Sequence, residues 1–333
     1  MKEDNIQVLL ARRPEGDVTK ENFEVVSSPL PELQPGQFLV RNHYLSLDPY
    51  MRGRMSDGPS YAQPVAVGDV MVGGTVGEVA ASKHADFQPG ERVLGFFGWQ
   101  RFAVSDGTGV TRITEQDLPL SVYLGAVGMP GVTAYIGLMD FGRPKAGETV
   151  VVAAASGAVG SVVGQVAKIH GCRAVGIAGG PDKCRYVTGE LGLDACVDYK
   201  AGRLREDLAA ATPDGIDIYF ENVGGPILDT VLARMNPFGR IPLCGLISQY
   251  NATEPYRVRN FGSLLINRLT VRGFIVSDHL DRWPAALKDL AQWVRDGKIK
   301  YRESIVQGIE NAPAAFIGLL AGKNFGKQLI DLR

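Results

Sequence analysis

The chain has 333 residues, with 35 basic and 36 acidic side chains and a formal net charge of −1. That length suits about two domains, and near-neutrality without a polybasic tail excludes nucleic acid as the main partner. Gly, Pro or a charge interrupts every apolar run well short of the roughly 20 residues a bilayer-spanning helix needs, which excludes a membrane span and leaves a soluble protein.

The start, Met1-Lys2-Glu3-Asp4-Asn5, is charged and leads only into Val8-Leu9-Leu10 before Arg12-Arg13-Pro14, so it lacks the apolar core of a signal peptide. Up to about Arg112, short β-rich runs such as 37–45 and 70–79 alternate with Pro and Gly punctuation. This spacing predicts a barrel-like β domain. Beyond Pro119-Leu120, apolar β runs at 149–154, 173–178, 195–197, 216–220 and 240–244 alternate with helical patterns, which predicts a doubly wound parallel sheet of the α/β class. Residues 283–294 read as a helix, and 304–309, 312–320 and 327–332 as strand, helix and strand. The tail is assigned back to the first domain. Residues 1–120 with 300–333 then form a substrate domain and residues 121–299 a nucleotide-binding domain, packed closely with a cleft between them.

Four cysteines, Cys172, Cys184, Cys196 and Cys244, contain no C-x-x-C pair and read as reduced, buried small hydrophobes of a cytoplasmic protein. None lies in the first domain, no Gly-His-Glu triplet occurs, and His43, His84, His170 and His279 are scattered. No metal site is expected.

The local feature with most chemistry is Val150-Val151-Val152-Ala153-Ala154-Ala155-Ser156-Gly157-Ala158-Val159-Gly160, where a buried strand stops at a small-residue turn and a helix begins. Backbone N–H groups and the positive end of a helix dipole converge there, as a diphosphate requires. Gly157 allows close backbone approach and Gly160 close helix packing, while Ala155 stands where the usual fingerprint has its first glycine. A merely tight strand-helix turn is the alternative. After the second strand of this domain comes Gly179-Gly180-Pro181-Asp182-Lys183-Cys184-Arg185, with no carboxylate at the ribose position. Lys183, and less strongly Arg185, can meet an extra 2′-phosphate, which favours NADPH over NADH. Asp182 reads as the N-cap of the next helix.

The whole pattern resembles the zinc-independent medium-chain dehydrogenase/reductases, in the branch of prostaglandin reductases, plant double-bond reductases and bacterial curcumin reductases. The resemblance spans nearly the full chain and rests on Leu47-Asp48-Pro49-Tyr50-Met51-Arg52, Val127-Gly128-Met129-Pro130-Gly131, Gly157-Ala158-Val159-Gly160, Glu221-Asn222-Val223-Gly224-Gly225 and Cys244-Gly245-Leu246-Ile247-Ser248-Gln249-Tyr250-Asn251. It implies an N-terminal GroES-like barrel, a Rossmann domain and NADPH. Gly157, Ala158, Val159 and Gly160 match the family's diphosphate contacts, and Lys183 and Tyr199 its 2′-phosphate end, with packing alone the alternative for Tyr199. Asn222 matches a position near the cofactor, Cys244, Gly245, Ile247, Ser248, Tyr250, Phe274, Ile275 and Val276 the surroundings of the nicotinamide half, and Asn324 a further cofactor contact. Asn222 follows a predicted strand, where ligands of such sheets bind; capping the following helix is its other reading. The resemblance also implies a homodimer in which residues 269–276 extend the sheet across subunits.

Without a metal, hydride transfer suits an acceptor whose developing charge spreads by conjugation, as in an α,β-unsaturated ketone or aldehyde. Tyr250 is the candidate donor to the enolate oxygen; packing on the nicotinamide ribose is its alternative, with the cofactor's own ribose hydroxyl then the donor, and solvent is an open source for the proton. Tyr50, Met51, Met129 and Tyr256 are candidate walls of an apolar substrate slot, with core packing the rival for Met51 and Met129. Arg52 and Arg54 read as structural or solvated. A quinone reductase and a non-catalytic NADPH-binding protein are the competing functions.

Overall fold

The computed structural model of the chain describes residues 4–333; residues 1–3 of the charged start lie outside the described residues. The chain divides into two units, Met1–Leu124 with Glu303–Asn324 and Gln328–Arg333, and Gly125–Arg302 with Phe325–Lys327.

In the first unit, β1 (Asp4–Leu10) and β2 (Phe23–Pro29) form an antiparallel pair. They are followed by β3 (Phe38–Ser46), the one-turn helix α1 (Met51–Arg54), β4 (Thr75–Ser82), β5 (Arg92–Gly95), β6 (Phe102–Ser105) and β7 (Thr111–Arg112). The second unit holds α2 (Met129–Ile136), β8 (Thr149–Ala153), α3 (Gly160–Ile169), β9 (Arg173–Ala178), α4 (Pro181–Gly189), β10 (Ala195–Asp198) and α5 (Leu204–Ala211). It continues through β11 (Ile216–Phe220), α6 (Gly225–Leu232), β12 (Met235–Leu243), α7 (Ser263–Ile266), β13 (Thr270–Gly273) and α8 (Trp283–Arg295). The chain then returns to the first unit as β14 (Glu303–Gln307), α9 (Ala312–Leu320) and β15 (Lys327–Asp331).

The sheet of the first unit runs β14-β15-β3-β4-β5-β7, with β6 also paired to β3, as an open path without barrel closure among the described residues. Trp99 is its aromatic centre, stacked on Phe23 at 5.5 Å between ring centroids and edge-on to Phe316 at 5.6 Å. The predicted strand over 70–79 begins only at Thr75. Val70 bridges to Leu9, and Met71 bonds to Val8 at 2.9 Å, so this stretch serves β1 before it can join β4. At Gly73 a Cβ would stand 2.8 Å from Leu45 Cδ1, so a side chain there would push into the same core.

The second unit carries a parallel six-stranded sheet, β10-β9-β8-β11-β12-β13. Every residue of β8 is buried, as expected when helices cover both faces of a parallel sheet. Val150, Val151 and Val152 are fully buried, each contributing roughly 1.5–3 kcal/mol. The chain runs outward from β8 in both directions, to β9 and β10 on one side and to β11, β12 and β13 on the other. Such a reversal opens a crevice at the carboxyl ends of the two central strands. Those ends are Ala153 on β8 and Phe220 on β11.

Candidate active site

The turn after β8 is built by its backbone. Ala154 sits at φ +53, in the left-handed region, which costs a non-glycine residue about 1–2 kcal/mol. The strained position is thus one residue before Ala155, the position matched to the fingerprint's first glycine. Ala155 instead continues the pairing with β9, its N–H donating to Ile177 at 3.0 Å. Gly157 N–H closes the turn onto the Ala154 carbonyl at 2.8 Å, and the Gly157 carbonyl accepts the Ser161 N–H at 3.0 Å. A Cβ at Gly160 would overlap the Ala154 carbonyl oxygen and stand 3.0 Å from Ala155 Cα, so only glycine lets α3 start this close to the strand. Among the described residues no side chain caps α3; its Ser161 and Val162 N–H groups bond to the Gly157 and Val159 carbonyls at 3.0 and 3.1 Å, and the positive end of its dipole faces the turn, a fit for a diphosphate. Gly326 bridges to Gly157 and bonds to Ser156 at 3.1 Å, fastening the segment after Asn324 to the turn.

At the end of β9 the geometry departs from expectation. Gly180 is the N-cap of α4 and Pro181 its first residue, so Asp182 lies inside the first turn and ion-pairs with Arg185 on an exposed surface. Asp182 is therefore not the N-cap, and Arg185 is committed to a neighbour. Lys183 is half-buried; desolvation, and then the nearby Lys200, pushes its ammonium below the usual lysine range. Two cations held together suit a dianionic 2′-phosphate. Tyr199 is 41% exposed, and a Cβ at Gly179 would lie 2.9 Å from Tyr199 Oη and 3.0 Å from Lys200 Cε. Asp198 Oδ1 shapes this corner by accepting the N–H groups of Gly180 at 2.7 Å and Lys200 at 2.9 Å. Neither Asp198 nor Lys200 stood out in the sequence, because their meaning depends on β10 lying beside β9.

The other end of the crevice is organised by β11 and β12. Asn222 Nδ2 donates to the Ala153 carbonyl at 2.8 Å, tying β11 to β8 rather than capping α6, whose N-cap is Gly224. Glu221 is fully buried. Its Oε1 accepts the N–H groups of Val223 at 2.5 Å and Gly224 at 2.9 Å. Its main-chain carbonyl accepts those of Cys244 at 3.0 Å and Gly245 at 3.2 Å. Among the described residues, Oε2 and the Tyr219 hydroxyl have no partner at hydrogen-bonding distance, though they are near enough to influence each other. Burial pushes the Glu221 carboxyl up to about 7 against these backbone donors, and pushes the Cys244 thiol up to about 12. Ile247 N–H reaches the Asn222 carbonyl at 3.2 Å, and Ser248 bonds to the Val223 carbonyl through N–H at 3.0 Å and Oγ at 2.6 Å. Tyr250 folds back so that its Oη accepts the Leu246 N–H at 3.2 Å; a Cβ on Gly245 would stand 3.0 Å from that oxygen.

With this geometry in place, residues 6–113 match a family model described as the N-terminal domain of oxidoreductase, and residues 158–292 one described as zinc-binding dehydrogenase. The NADPH-dependent curcumin reductase of Escherichia coli (strain K12) is 51% identical, covering 99% of this chain and 97% of its own. Prostaglandin reductase 1 of Rattus norvegicus is 45% identical, covering 96% of this chain and 97% of its own. A crystal structure of CurA in complex with NADPH from Vibrio vulnificus matches with TM-score 0.95 and 53% identity, over 98% of this chain and 99% of that one. The chain belongs to the medium-chain dehydrogenase/reductase family, in the curcumin and prostaglandin reductase branch. Among the described residues no group of three or more His, Cys, Asp or Glu could hold a metal ion, and no helix is long and apolar enough to cross a membrane.

The remaining positions matched to this family are placed unevenly. Met51 is 0% exposed inside the core cluster of the first unit, so core packing replaces the substrate-wall reading. Tyr50 is half-buried with the Arg54 guanidinium 5.6 Å above its ring, and Arg52 is structural, bonding to Ser56 Oγ at 2.7 Å and the Gly16 carbonyl at 3.0 Å. Phe274 is buried against Phe141 at 5.1 Å and Phe220 at 6.3 Å, so its side chain belongs to the interior and only its backbone remains for a cofactor. Ile275 and Val276 are half-buried, and the Val276 carbonyl accepts the Trp283 indole N–H at 3.1 Å. Tyr256 donates to Asp229 at 3.2 Å, and Met129 is half-buried at the start of α2. Of the cysteines, only Cys172 is buried; Cys184, Cys196 and Cys244 are half-buried, which corrects the expectation that all four are.

Proposed function

We propose that the protein is an NADPH-dependent reductase of the conjugated carbon–carbon double bond in α,β-unsaturated ketones and aldehydes, acting as a cytoplasmic homodimer. Bound NADPH supplies a hydride to the β-carbon of the acceptor. The chain binds and orients the reactants and stabilises the enolate. The turn carrying Gly157, Ala158, Val159 and Gly160 holds the diphosphate through backbone donors. Lys183, Tyr199 and Lys200 take the 2′-phosphate, and Asn222, Cys244, Gly245, Ile247 and Ser248 frame the nicotinamide half. Tyr250 donates its hydroxyl proton in a hydrogen bond to the enolate oxygen. Accepting from Leu246 occupies a lone pair of that hydroxyl, not its proton. Met129 and Tyr256 contribute to the wall around the acceptor.

The observation that carries this reading is the distribution of chemistry along one sheet end: paired cations beside Gly179 at one side, and the Tyr250 phenol on the Gly245-Leu246 backbone at the other. Relatives named NADPH-dependent curcumin reductase, prostaglandin reductase 1 and 2-alkenal reductase (NADP(+)-dependent) support it. The homodimer reading is supported by β13, an edge strand with all four residues exposed, Val271 among them, beside exposed Leu265 and Ile266. An apolar edge of this kind gains by pairing with its own copy. The free cysteines suit a reducing compartment. Purified protein mixed with NADPH and a panel of enones, quinones and simple aldehydes, followed by loss of nicotinamide absorbance, tests the function. Turnover of enones supports it, and turnover of quinones alone refutes it.

A further inference from the structure

One close contact in the second unit serves neither the sheet nor the proposed cofactor machinery. Cys184, in the first turn of α4, and Cys196, on β10, place their sulfur atoms 3.0 Å apart. A disulfide bond is only about 1 Å shorter, at ~2.05 Å. Both thiols are free and half-buried, so a small oxidant can approach them while the fold fixes their mutual position. They lie 12 residues apart in sequence, and a bond between them would fasten α4, which carries Lys183, to the strand that ends at Asp198.

We propose that Cys184 and Cys196 form a dithiol site that a low-molecular-weight disulfide converts reversibly into an intramolecular disulfide. The Cys184 thiolate attacks one sulfur of the reagent RSSR, forming Cys184–S–S–R and releasing RS⁻. Cys196, having given its proton to water, then attacks Cys184 Sγ and expels the second RS⁻. The protein loses two thiol protons and two electrons, and RSSR becomes two RSH.

The two thiols are not equivalent, and the difference sets the order of events. Cys196 donates its S–H to Cys184 Sγ, an interaction that favours the Cys184 thiolate. Cys184 also stands at the positive end of the α4 dipole, which favours the same charge. Burial and the Asp198 carboxylate oppose ionisation of both, pushing Cys184 up and Cys196 well above the ordinary thiol range. The pair therefore stays reduced and slow to react at neutral pH, and closes faster as the pH rises.

The native protein incubated with oxidised glutathione at alkaline pH, then alkylated and mapped by mass spectrometry, tests this. The expected result is a loss of about 2 Da per chain before alkylation, a linked peptide pair containing Cys184 and Cys196 after it, and recovery of all thiols when dithiothreitol precedes the alkylation. The bridge should also raise the thermal midpoint by restricting the unfolded chain. Cys184→Ser should abolish the linkage and Cys172→Ala should keep it; the wild-type peptide map decides the question even if a variant folds poorly. A glutathione adduct that never resolves into the 184–196 bridge would overturn the proposal, as would thiols that stay unmodified until the protein unfolds. Neither result depends on which substrate the enzyme reduces.

Discussion

Glu221 holds Gly224: a carboxylate oxygen of a fully buried acid accepts the Gly224 N–H at 2.9 Å, where the glycine sits at φ +77. The same residue receives the Cys244 and Gly245 N–H groups on its main-chain carbonyl. One buried acid thus joins the two loops proposed to frame the nicotinamide half. Burial raises its carboxyl from 4.5 to about 7. Because the folded value lies above the unfolded one, this contribution to stability is present below about pH 4.5 and is lost as pH rises through 7. Glu221→Gln keeps an acceptor for Val223 and Gly224 but removes the titration. The stability difference between variant and wild type should move in the variant's favour by roughly 3 kcal/mol between those pH values. Urea unfolding at a series of pH values measures it; parallel stability profiles for the two proteins would contradict the assignment.

Lys183→Ala should weaken NADPH binding by about 10–100-fold while leaving NADH within a few-fold, because a charge-assisted contact to the 2′-phosphate is worth roughly 1.5–3 kcal/mol. Lys200→Ala should act in the same direction but less strongly, its side chain being exposed. Titrating each cofactor into the two variants by fluorescence separates the cases. Equal loss of both cofactors would mean that these lysines do not meet the extra phosphate.

Gly160→Ala should displace the start of α3, since the added methyl overlaps the Ala154 carbonyl. Overpacking of this kind costs roughly 1–3 kcal/mol. The expected outcome is a lower thermal midpoint together with at least about tenfold weaker NADPH binding, because the displaced donors no longer converge. Full affinity in a protein of reduced stability would separate the turn from the diphosphate.

Tyr250→Phe removes one hydroxyl and leaves the ring to pack. If the phenol stabilises the enolate, kcat should fall by about 10²–10³ with KM for NADPH changing far less, as for loss of one oxyanion donor. If the ring acts only by packing on the cofactor ribose, kcat should hold. Steady-state kinetics with a simple enone distinguishes the two.

The doubly wound sheet was legible because β8, β9 and β11 are short apolar runs spaced by helical patterns, a signal that local sequence carries by itself. The turn from strand to helix after β8 was legible for the same reason, although its strained residue is Ala154 rather than the position matched to glycine. What escaped is what depends on neighbours in space. Glu221 was visible only as a member of a motif, and its hold on two loops appears once β11 and β12 lie side by side. Asp198 and Lys200 acquire meaning beside Gly179 and Gly180, and Cys184 meets Cys196 only when α4 packs on β10. Met51 illustrates the converse: a methionine after a strand and a proline turn suits a pocket wall or a core equally well, and the cluster around Leu45 and Trp99 claims it for the core.

The central claim is that hydride reaches the β-carbon of a conjugated acceptor. Turnover of an enone with NADPH deuterated at nicotinamide C4, followed by NMR of the product, tests it most directly. The expected product is a saturated ketone with deuterium on the β-carbon. An allylic alcohol with deuterium on the former carbonyl carbon would contradict it.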